Sequence, residues 1–380
     1  MKTILHNGRM LTGDDFVDGI AVVVEHGQIT AIIEQSAVST IEAGQRVDLH
    51  GGWLVPGFID LQVNGGGGVL FNNTPTVDGL RQIMHAHRQF GTTGMLPTLI
   101  SDDVAVMEQA IAAVRTAIED DVPGILGIHL EGPYLSAQRK GTHNPDKFRL
   151  PDPEEVDLVT SIDHGITLIT LAPECVALPT ITQMVKRGAI VFAGHTAASY
   201  AQTRAGLDAG ISGFTHLYNA MTPLQGREPG VVGAALEDTG SWCGVIVDGV
   251  HVHPASLRVA LAAKPRGKVI LVTDAMPMVG ADDPSFSLYG EVITAVDGVV
   301  RNAAGSLAGS ALTMASALRN AVQLLGVSLA EAARMASTYP AQCLGLGERY
   351  GQIRPGYHAD LVWLDAALTV QGTWIGGQRA

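Results

Sequence analysis

Glu131, His195 and His216 each close a short apolar run: Gly124-Ile-Leu-Gly-Ile-His-Leu-Glu131, Ala189-Ile-Val-Phe-Ala-Gly-His195 and Ile211-Ser-Gly-Phe-Thr-His216. Runs of this length bounded by turn residues read as buried strands. If those strands are parallel neighbours, their last residues converge on one rim. One carboxylate and two imidazoles there suit a catalytic zinc with one coordination position left for water. Asp274 ends a further run of the same kind, Lys268-Val-Ile-Leu-Val-Thr-Asp274. Taken singly, each residue has an ordinary explanation, a hydrogen-bonded structural His or a turn acid before Gly-Pro. Their recurrence at strand ends points instead to a metal-dependent hydrolase.

The elements that must position them follow from the spacing of apolar residues. Eight runs of strand length lie between Pro56 and about Gly345: Phe58 to Val63, Gly94 to Ile100, Ile125 to Glu131, Ile166 to Leu171, Ala189 to His195, Ile211 to His216, Trp242 to Asp248 and Val269 to Asp274. Helical periodicity separates most of them, at Val77 to Phe90, Asp103 to Ile118, Ser199 to Ala209 and Pro254 to Ala263, with a weaker connector at Val231 to Leu236. Eight alternations of strand and helix, with strands apolar on both faces, predict an α/β fold, a (β/α)8 TIM-like barrel whose active site lies at the strand C-termini. A doubly wound open sheet is the alternative, but no Gly-x-Gly-x-x-Gly follows a first strand.

Residues 1–55 and 350–380 behave differently. Short strand-like pieces occur at Thr3 to Leu5, Ile20 to Glu25, Ile29 to Ile33 and Arg46 to Leu49, and again at Ala359 to Leu364 and Leu368 to Val370. They predict one small β-sandwich built from both termini, flanking a barrel of residues 56–349. Between Ser285 and Leu307, the alternation from Gly290 to Val300 reads as a hairpin inserted after strand eight.

Composition narrows the function further. Charged residues make up 16% and hydrophobic residues 46%, so much of the chain should be buried or in a subunit interface. The 45 glycines suit many tight loops. A formal net charge of −13 argues against nucleic acid as a partner, so an anionic substrate needs a local basic pocket. The start lacks the apolar core of a signal peptide and no run reaches the ~18 apolar residues of a membrane helix, so the cytoplasm and no membrane association are expected. Cys175, Cys243 and Cys343, without paired spacing, fit reduced thiols in that compartment.

Several motifs carry a family resemblance. Val55-Pro-Gly-Phe-Ile-Asp60, His129-Leu-Glu-Gly-Pro133, Gly141-Thr-His-Asn144, Ala193-Gly-His195, Thr215-His-Leu-Tyr-Asn-Ala-Met221, Gly226-Arg-Glu-Pro-Gly230 and Val272-Thr-Asp-Ala275 together resemble the amidohydrolase superfamily. Within it, the chain is most similar to the N-acetylglucosamine-6-phosphate deacetylase family, from the N-terminal sandwich through the tail. The resemblance implies hydrolysis of the acetamide of N-acetyl-D-glucosamine 6-phosphate to acetate and D-glucosamine 6-phosphate, in amino-sugar catabolism. It implies metal binding by Glu131, His195 and His216, acid/base work by Asp274, and His143 near the acetyl carbonyl. Sugar-phosphate contacts fall to Thr142, Asn219, Ala220, Arg227, His251 and the Leu307-Ala308-Gly309 loop. Members of the family complete the phosphate pocket with a loop residue from a neighbouring subunit, so a homodimer or dimer-based tetramer is expected.

One departure from the superfamily concerns the metal. After strand one most amidohydrolases carry His-x-His for a second ion, whereas this chain has Gln62-Val63-Asn64. Amide oxygens compete poorly with imidazole for such an ion. The expectation is one divalent metal per subunit, Zn2+, with a degenerate second site at Gln62 and Asn64. Two other functions stay open: an amidohydrolase acting on a cyclic amide or an N-acetyl amino acid, and a non-catalytic sugar-phosphate-binding homologue. Arg227 could also be a surface ion-pair partner of Glu228, and Asp274 a helix cap.

Overall fold

The eight apolar runs supply the strands of a single eight-stranded sheet in the computed structural model, which describes residues 2–380. In chain order these are β1 (Phe58–Val63), β2 (Thr92–Ile100), β3 (Gly127–Glu131), β4 (Ile166–Leu171), β5 (Ile190–Ala193), β6 (Gly213–Phe214), β7 (Trp242–Val245) and β8 (Val269–Leu271). Spatial order follows chain order, and the pairs from β2 to β8 are parallel. The sheet closes on itself. Val63 bridges Ala275 in parallel, the Asp274 N–H donates to the Gln62 carbonyl at 3.0 Å, and the Asn64 N–H donates to the Ala275 carbonyl at 2.9 Å. β1, β2 and β3 are buried at every position, as parallel strands covered on both faces must be. A helix follows each of β1 to β7: Val77–Arg88, Val104–Glu119, Pro153–Val159, Leu178–Lys186, Tyr200–Asp208, Gly230–Glu237 and Pro254–Ala263. This is the (β/α)8 barrel expected from the sequence.

Local sequence explains where helices start. Ser199 and Gln202 form a reciprocal capping box at the head of Tyr200–Asp208, and the Asp152 carboxylate accepts the Glu155 N–H ahead of Pro153–Val159.

The strands are shorter than the apolar runs, which corrects the sequence reading at its most consequential point. Glu131 is the last residue of β3, but β5, β6 and β8 stop before His195, His216 and Asp274. These three residues have φ of 48°, 33° and 53°, in the left-handed region that no strand contains. Each therefore sits on a turn just past its strand, and the turn redirects its side chain.

The chain divides into two compact units, one comprising the chain up to Asp60 with His87–Gly94 and Thr313–Ala380, the other Leu61–Ala86 with Met95–Leu312. In the first, a four-stranded sheet (Gln28–Glu34, Ile20–Glu25, Thr3–His6, Gln45–Asp48) and a six-stranded sheet (Gln378–Arg379, Val370–Ile375, Leu361–Leu364, Trp53–Pro56, Arg9–Thr12, Asp15–Val17) share one core. That core joins Leu5, Val22 and Ile29 to Leu54, Leu361 and Trp374, so both termini build the sandwich. In the second unit, the expected hairpin is a three-stranded antiparallel sheet, because Ser285–Leu288 pairs with Glu291–Val296 ahead of Val299–Val300. Its inner face packs Phe286, Leu288, Ile293 and Val300 against Met276, Met278 and Ile100. Among the described residues no helix is long and apolar enough to cross a membrane.

Lys264 shows how tightly the barrel shell is satisfied. Its ammonium, only 4% exposed, donates to the Ala235 carbonyl at 2.9 Å, to Ser241 Oγ at 3.1 Å and to the Asp238 carbonyl. It thus caps the C-terminal end of Gly230–Glu237, where a cation is favoured. Lys264→Met keeps the apolar stem but leaves those carbonyls buried without a donor. It is expected to destabilise the protein by about 1–3 kcal/mol, read as a lower urea midpoint, and an unchanged midpoint would exclude the capping role.

Candidate active site

Three strand ends bring their side chains to one point. Glu131 Oε1 lies 3.2 Å from His195 Nε2 and 3.0 Å from His216 Nε2, and the two Nε2 atoms are 3.1 Å apart. The three residues are 2%, 5% and 4% exposed. Donors around a tetrahedral zinc at about 2.0–2.1 Å would stand roughly 3.3–3.4 Å from one another, close to the spacing found. Two imidazoles and a carboxylate are also a donor set of catalytic zinc, so these residues fit a divalent ion. Burial alone would raise the Glu131 carboxyl, but hydrogen bonds with His195 and His216 hold it well below the usual carboxylate range.

The loop after β3 fastens His195. Ser136 donates its N–H to the His195 carbonyl at 2.9 Å, and His195 Nδ1 donates to the Arg139 carbonyl at 2.9 Å, which leaves Nε2 its lone pair for a metal. Gly141 follows with φ of 56°, and a Cβ there would stand 2.9 Å from His195 Cε1. Only glycine lets the loop pass this close. On the far side, the Glu174 carboxylate accepts from Thr196 Oγ1 at 2.5 Å and the Ala197 N–H at 2.6 Å.

Asp274 stands beside this cluster, part of its surface open to the cavity. Its Oδ1 accepts from Gln62 Nε2 at 3.2 Å and from Asn64 Nδ2 at 2.6 Å, while Gln62 Nε2 also reaches Glu131 Oε2 at 3.1 Å. The two amides thus turn their NH2 groups toward the carboxylates. Burial, then the Glu131 charge, pushes the Asp274 carboxyl up to about 6. A bound cation acts in the opposite direction.

His143 is held as a neutral ring. Burial, then the nearby His195, lowers its basicity well below the ordinary histidine value. The Ser101 N–H donates to His143 Nδ1 at 3.4 Å and Ser101 Oγ lies 2.8 Å from it, so the ring proton sits on Nε2. The Tyr289 hydroxyl, from the inserted sheet, anchors Ser101 through its carbonyl at 2.5 Å.

A cavity of about 430 Å³ opens above these groups, within the range of small-molecule sites. Of the residues singled out from sequence, Asn64, Glu131, Thr142, His143, His195, His216, Asn219, Ala220, His251, Asp274, Leu307 and Gly309 line it. Gln62 lies beneath it, bound to Asp274 and Glu131. Ala308 is wholly buried behind the wall in the Phe286 cluster. Arg227 does not line this cavity. It is exposed between Met221 and Gly230 and makes no ion pair with Glu228, whose Oε1 instead accepts the Tyr200 and Gly230 N–H groups at 2.7 and 3.1 Å.

Sequence reasoning passed over some of the lining. Gln138, Arg139, Lys140 and Ser306 also face the cavity, and the first three bring two cations to its rim. The Arg-Lys pair just before Gly141 was the available signal. Asp248 was overlooked as well, although Asp three residues ahead of His251 is a recognisable turn spacing.

The chain has relatives across its full length. The Amidohydrolase family matches residues 53–380. An N-acetylgalactosamine-6-phosphate deacetylase of Shewanella sp. is 44% identical over 99% of this chain and 95% of its own. One from Escherichia coli is 39% identical over the whole of both chains. The crystal structure of N-acetylglucosamine-6-phosphate deacetylase from Pasteurella multocida superposes with a TM-score of 0.96 at 36% identity, covering both chains completely.

The donor geometry predicts one tight divalent-ion site per chain. Metal analysis after chelation and retitration should give a single equivalent, and two tightly bound ions would refute a single site. His195→Asn and His216→Asn should each weaken metal affinity by about 10-fold or more, measured by calorimetry. Unchanged affinity would mean that the ligands lie elsewhere.

Proposed function

Because the chain belongs to the amidohydrolase family and, within it, to the N-acetylglucosamine- and N-acetylgalactosamine-6-phosphate deacetylases, we propose that it cleaves the acetamide of N-acetyl-D-glucosamine 6-phosphate to D-glucosamine 6-phosphate and acetate. One observation carries this reading. A metal-type triad, a carboxylate with one uncommitted oxygen and a neutral imidazole N–H all face a single cavity.

Glu131, His195 and His216 hold the metal in this proposal, and their N,N,O donor set favours Zn2+. When bound, such an ion supplies a hydroxide-like nucleophile near neutral pH and polarises a carbonyl. Gln62 and Asn64 present NH2 groups to the carboxylates, which supports one ion per subunit rather than two. Asp274 keeps Oδ1 engaged with these amides and has Oδ2 available to take the proton of the attacking water. It then returns that proton to the amine nitrogen as the C–N bond breaks, giving a neutral leaving group. His143 donates its Nε2–H to the acetyl oxygen as negative charge develops there.

Thr142, Asn219, Ala220, His251 and the Leu307-Ala308-Gly309 wall form the sugar-phosphate end of this site. Arg227 fits the scheme differently. Exposed and off its own cavity, it is suited to reach the phosphate pocket of a neighbouring copy, which supports a homodimer or an assembly of dimers. The galactosamine epimer is a second reading, favoured by the two relatives at 44% and 39% identity, both N-acetylgalactosamine-6-phosphate deacetylases. Acetate release from both epimers, each with and without the 6-phosphate, tests the assignment. Turnover without preference for the phosphorylated sugars would overturn it.

Two variants test individual roles. Asp274→Asn should keep the fold and metal while turnover falls roughly 10²- to 10⁴-fold, and near-parental turnover at any pH would make Asp274 a structural cap. Arg227→Ala should lower kcat/KM for the phosphorylated sugar relative to the unphosphorylated one by roughly 30-fold or more, the scale of losing a partner of a desolvated charge. An unchanged ratio would exclude Arg227 from phosphate recognition.

A further inference from the structure

Beyond the ligands and the acid/base groups, one short carboxylate–imidazole contact has no part in the chemistry above. Asp248 and His251 occupy the turn that follows β7. Asp248 Oδ1 accepts the N–H groups of Val250 at 2.8 Å and of His251 at 2.9 Å, and Oδ2 lies 2.6 Å from His251 Nδ1. The side chains are 16% and 6% exposed, so the pair is largely shielded from water. His251 lines the cavity, and its Nε2 has no partner among the described residues.

We propose that Asp248 is a positioning residue for phosphate recognition, holding the His251 ring so that Nε2, carrying a proton, is presented to the substrate's 6-phosphate. The proposal rests on the reading that His251 faces the phosphate, and adds the group that makes it able to do so. A phosphate dianion has only acceptors, so an imidazole edge can bind it only as N–H. His251 donates its Nδ1–H in a hydrogen bond to Asp248 Oδ2. The edge toward the cavity is then an N–H donor only when the ring is an imidazolium. The carboxylate 2.6 Å from Nδ1 sets a negative charge beside the ring and fixes its plane. Burial opposes ionisation of Asp248, but the hydrogen bond to His251 and those from the backbone hold its carboxyl below the usual range, so it remains an anion.

The competing explanation is that Asp248 only caps its turn, since Oδ1 collects two backbone N–H groups. Asp248→Asn separates the two roles. Asparagine retains Oδ1 and hence the turn, but replaces Oδ2 with an NH2 group that cannot accept from Nδ1. With the metal-loaded enzyme, KM for N-acetyl-D-glucosamine 6-phosphate is expected to rise about 10- to 100-fold, the scale of losing a carboxylate that orients a histidine. The change in kcat should be much smaller. Inhibition by inorganic phosphate should weaken in parallel, and the 15N resonances of the His251 ring should shift from the imidazolium toward the neutral pattern when phosphate is added. Unchanged KM, phosphate inhibition and ring resonances in Asp248→Asn would overturn the proposal and leave Asp248 a turn cap. His251→Gln keeps the underlying reading distinguishable. If it leaves the preference for phosphorylated sugar intact, His251 does not face the phosphate at all. If it abolishes that preference while Asp248→Asn does not, His251 binds phosphate without help from Asp248.

Discussion

A carboxylate buried with two imidazoles is the constraint on which the rest of the site depends. Glu131 is 2% exposed, and an isolated carboxylate at such a position would cost several kcal/mol in lost hydration. His195 and His216 relieve that cost only if both rings turn inward from neighbouring strand ends. The left-handed conformations of His195 and His216 achieve this, each at a cost of about 1–3 kcal/mol, and Asp274 has the same conformation. A closed barrel can sustain such strain because the last residues of β5, β6 and β8, which lead into these turns, are buried.

Around that cluster, several groups are oriented by a second one. The Arg139 carbonyl sets the tautomer of His195, Ser101 sets that of His143, and Gln62 with Asn64 occupies one oxygen of Asp274. In each case the partner commits the side of the group that faces away from the chemistry. After the first barrel strand this chain has two amides, Gln62 and Asn64, that supply hydrogen-bond donors without adding charge. Asp274 is therefore oriented by dipoles, while burial and the Glu131 charge push its carboxyl up to about 6.

Much of this was legible in the sequence, and what was not has physical reasons. Runs such as Ile166–Leu171 and helices such as Pro254–Ala263 were readable to the residue because local pattern and burial agree there. Glu131, His195, His216 and Asp274 stood out because polar ligand types ended otherwise apolar runs. Their strand boundaries did not, since a positive φ at a β-compatible residue is imposed by packing across the barrel and leaves no local mark. Arg9–Thr12 and Asp15–Val17 were missed because they are short and pair with each other as a hairpin of few apolar residues, while the other partner of Arg9–Thr12, Trp53–Pro56, is far along the chain. The expectation that Arg227 contacts phosphate leaned on the resemblance, and the exposed position of that residue could not be read from its neighbours.

The small sandwich has a consequence for the order of events during synthesis. Its core requires Leu5, Val22, Ile29 and Leu54 to meet Leu361 and Trp374. At about 5–20 residues per second, the roughly 300 residues between Leu54 and Leu361 take about 15–60 s to make. For that interval only half of the six-stranded sheet, Arg9–Thr12, Asp15–Val17 and Trp53–Pro56, is present, and the part of the core that Leu361 and Trp374 cover stays open. The apolar Ile20–Glu25 strand has both of its strand partners, Thr3–His6 and Gln28–Glu34, from the start, but the face that carries Val22 and Val24 waits for the rest of its core. The sandwich is thus exposed to misassociation while the barrel is being made, until the strands that carry Leu361 and Trp374 emerge.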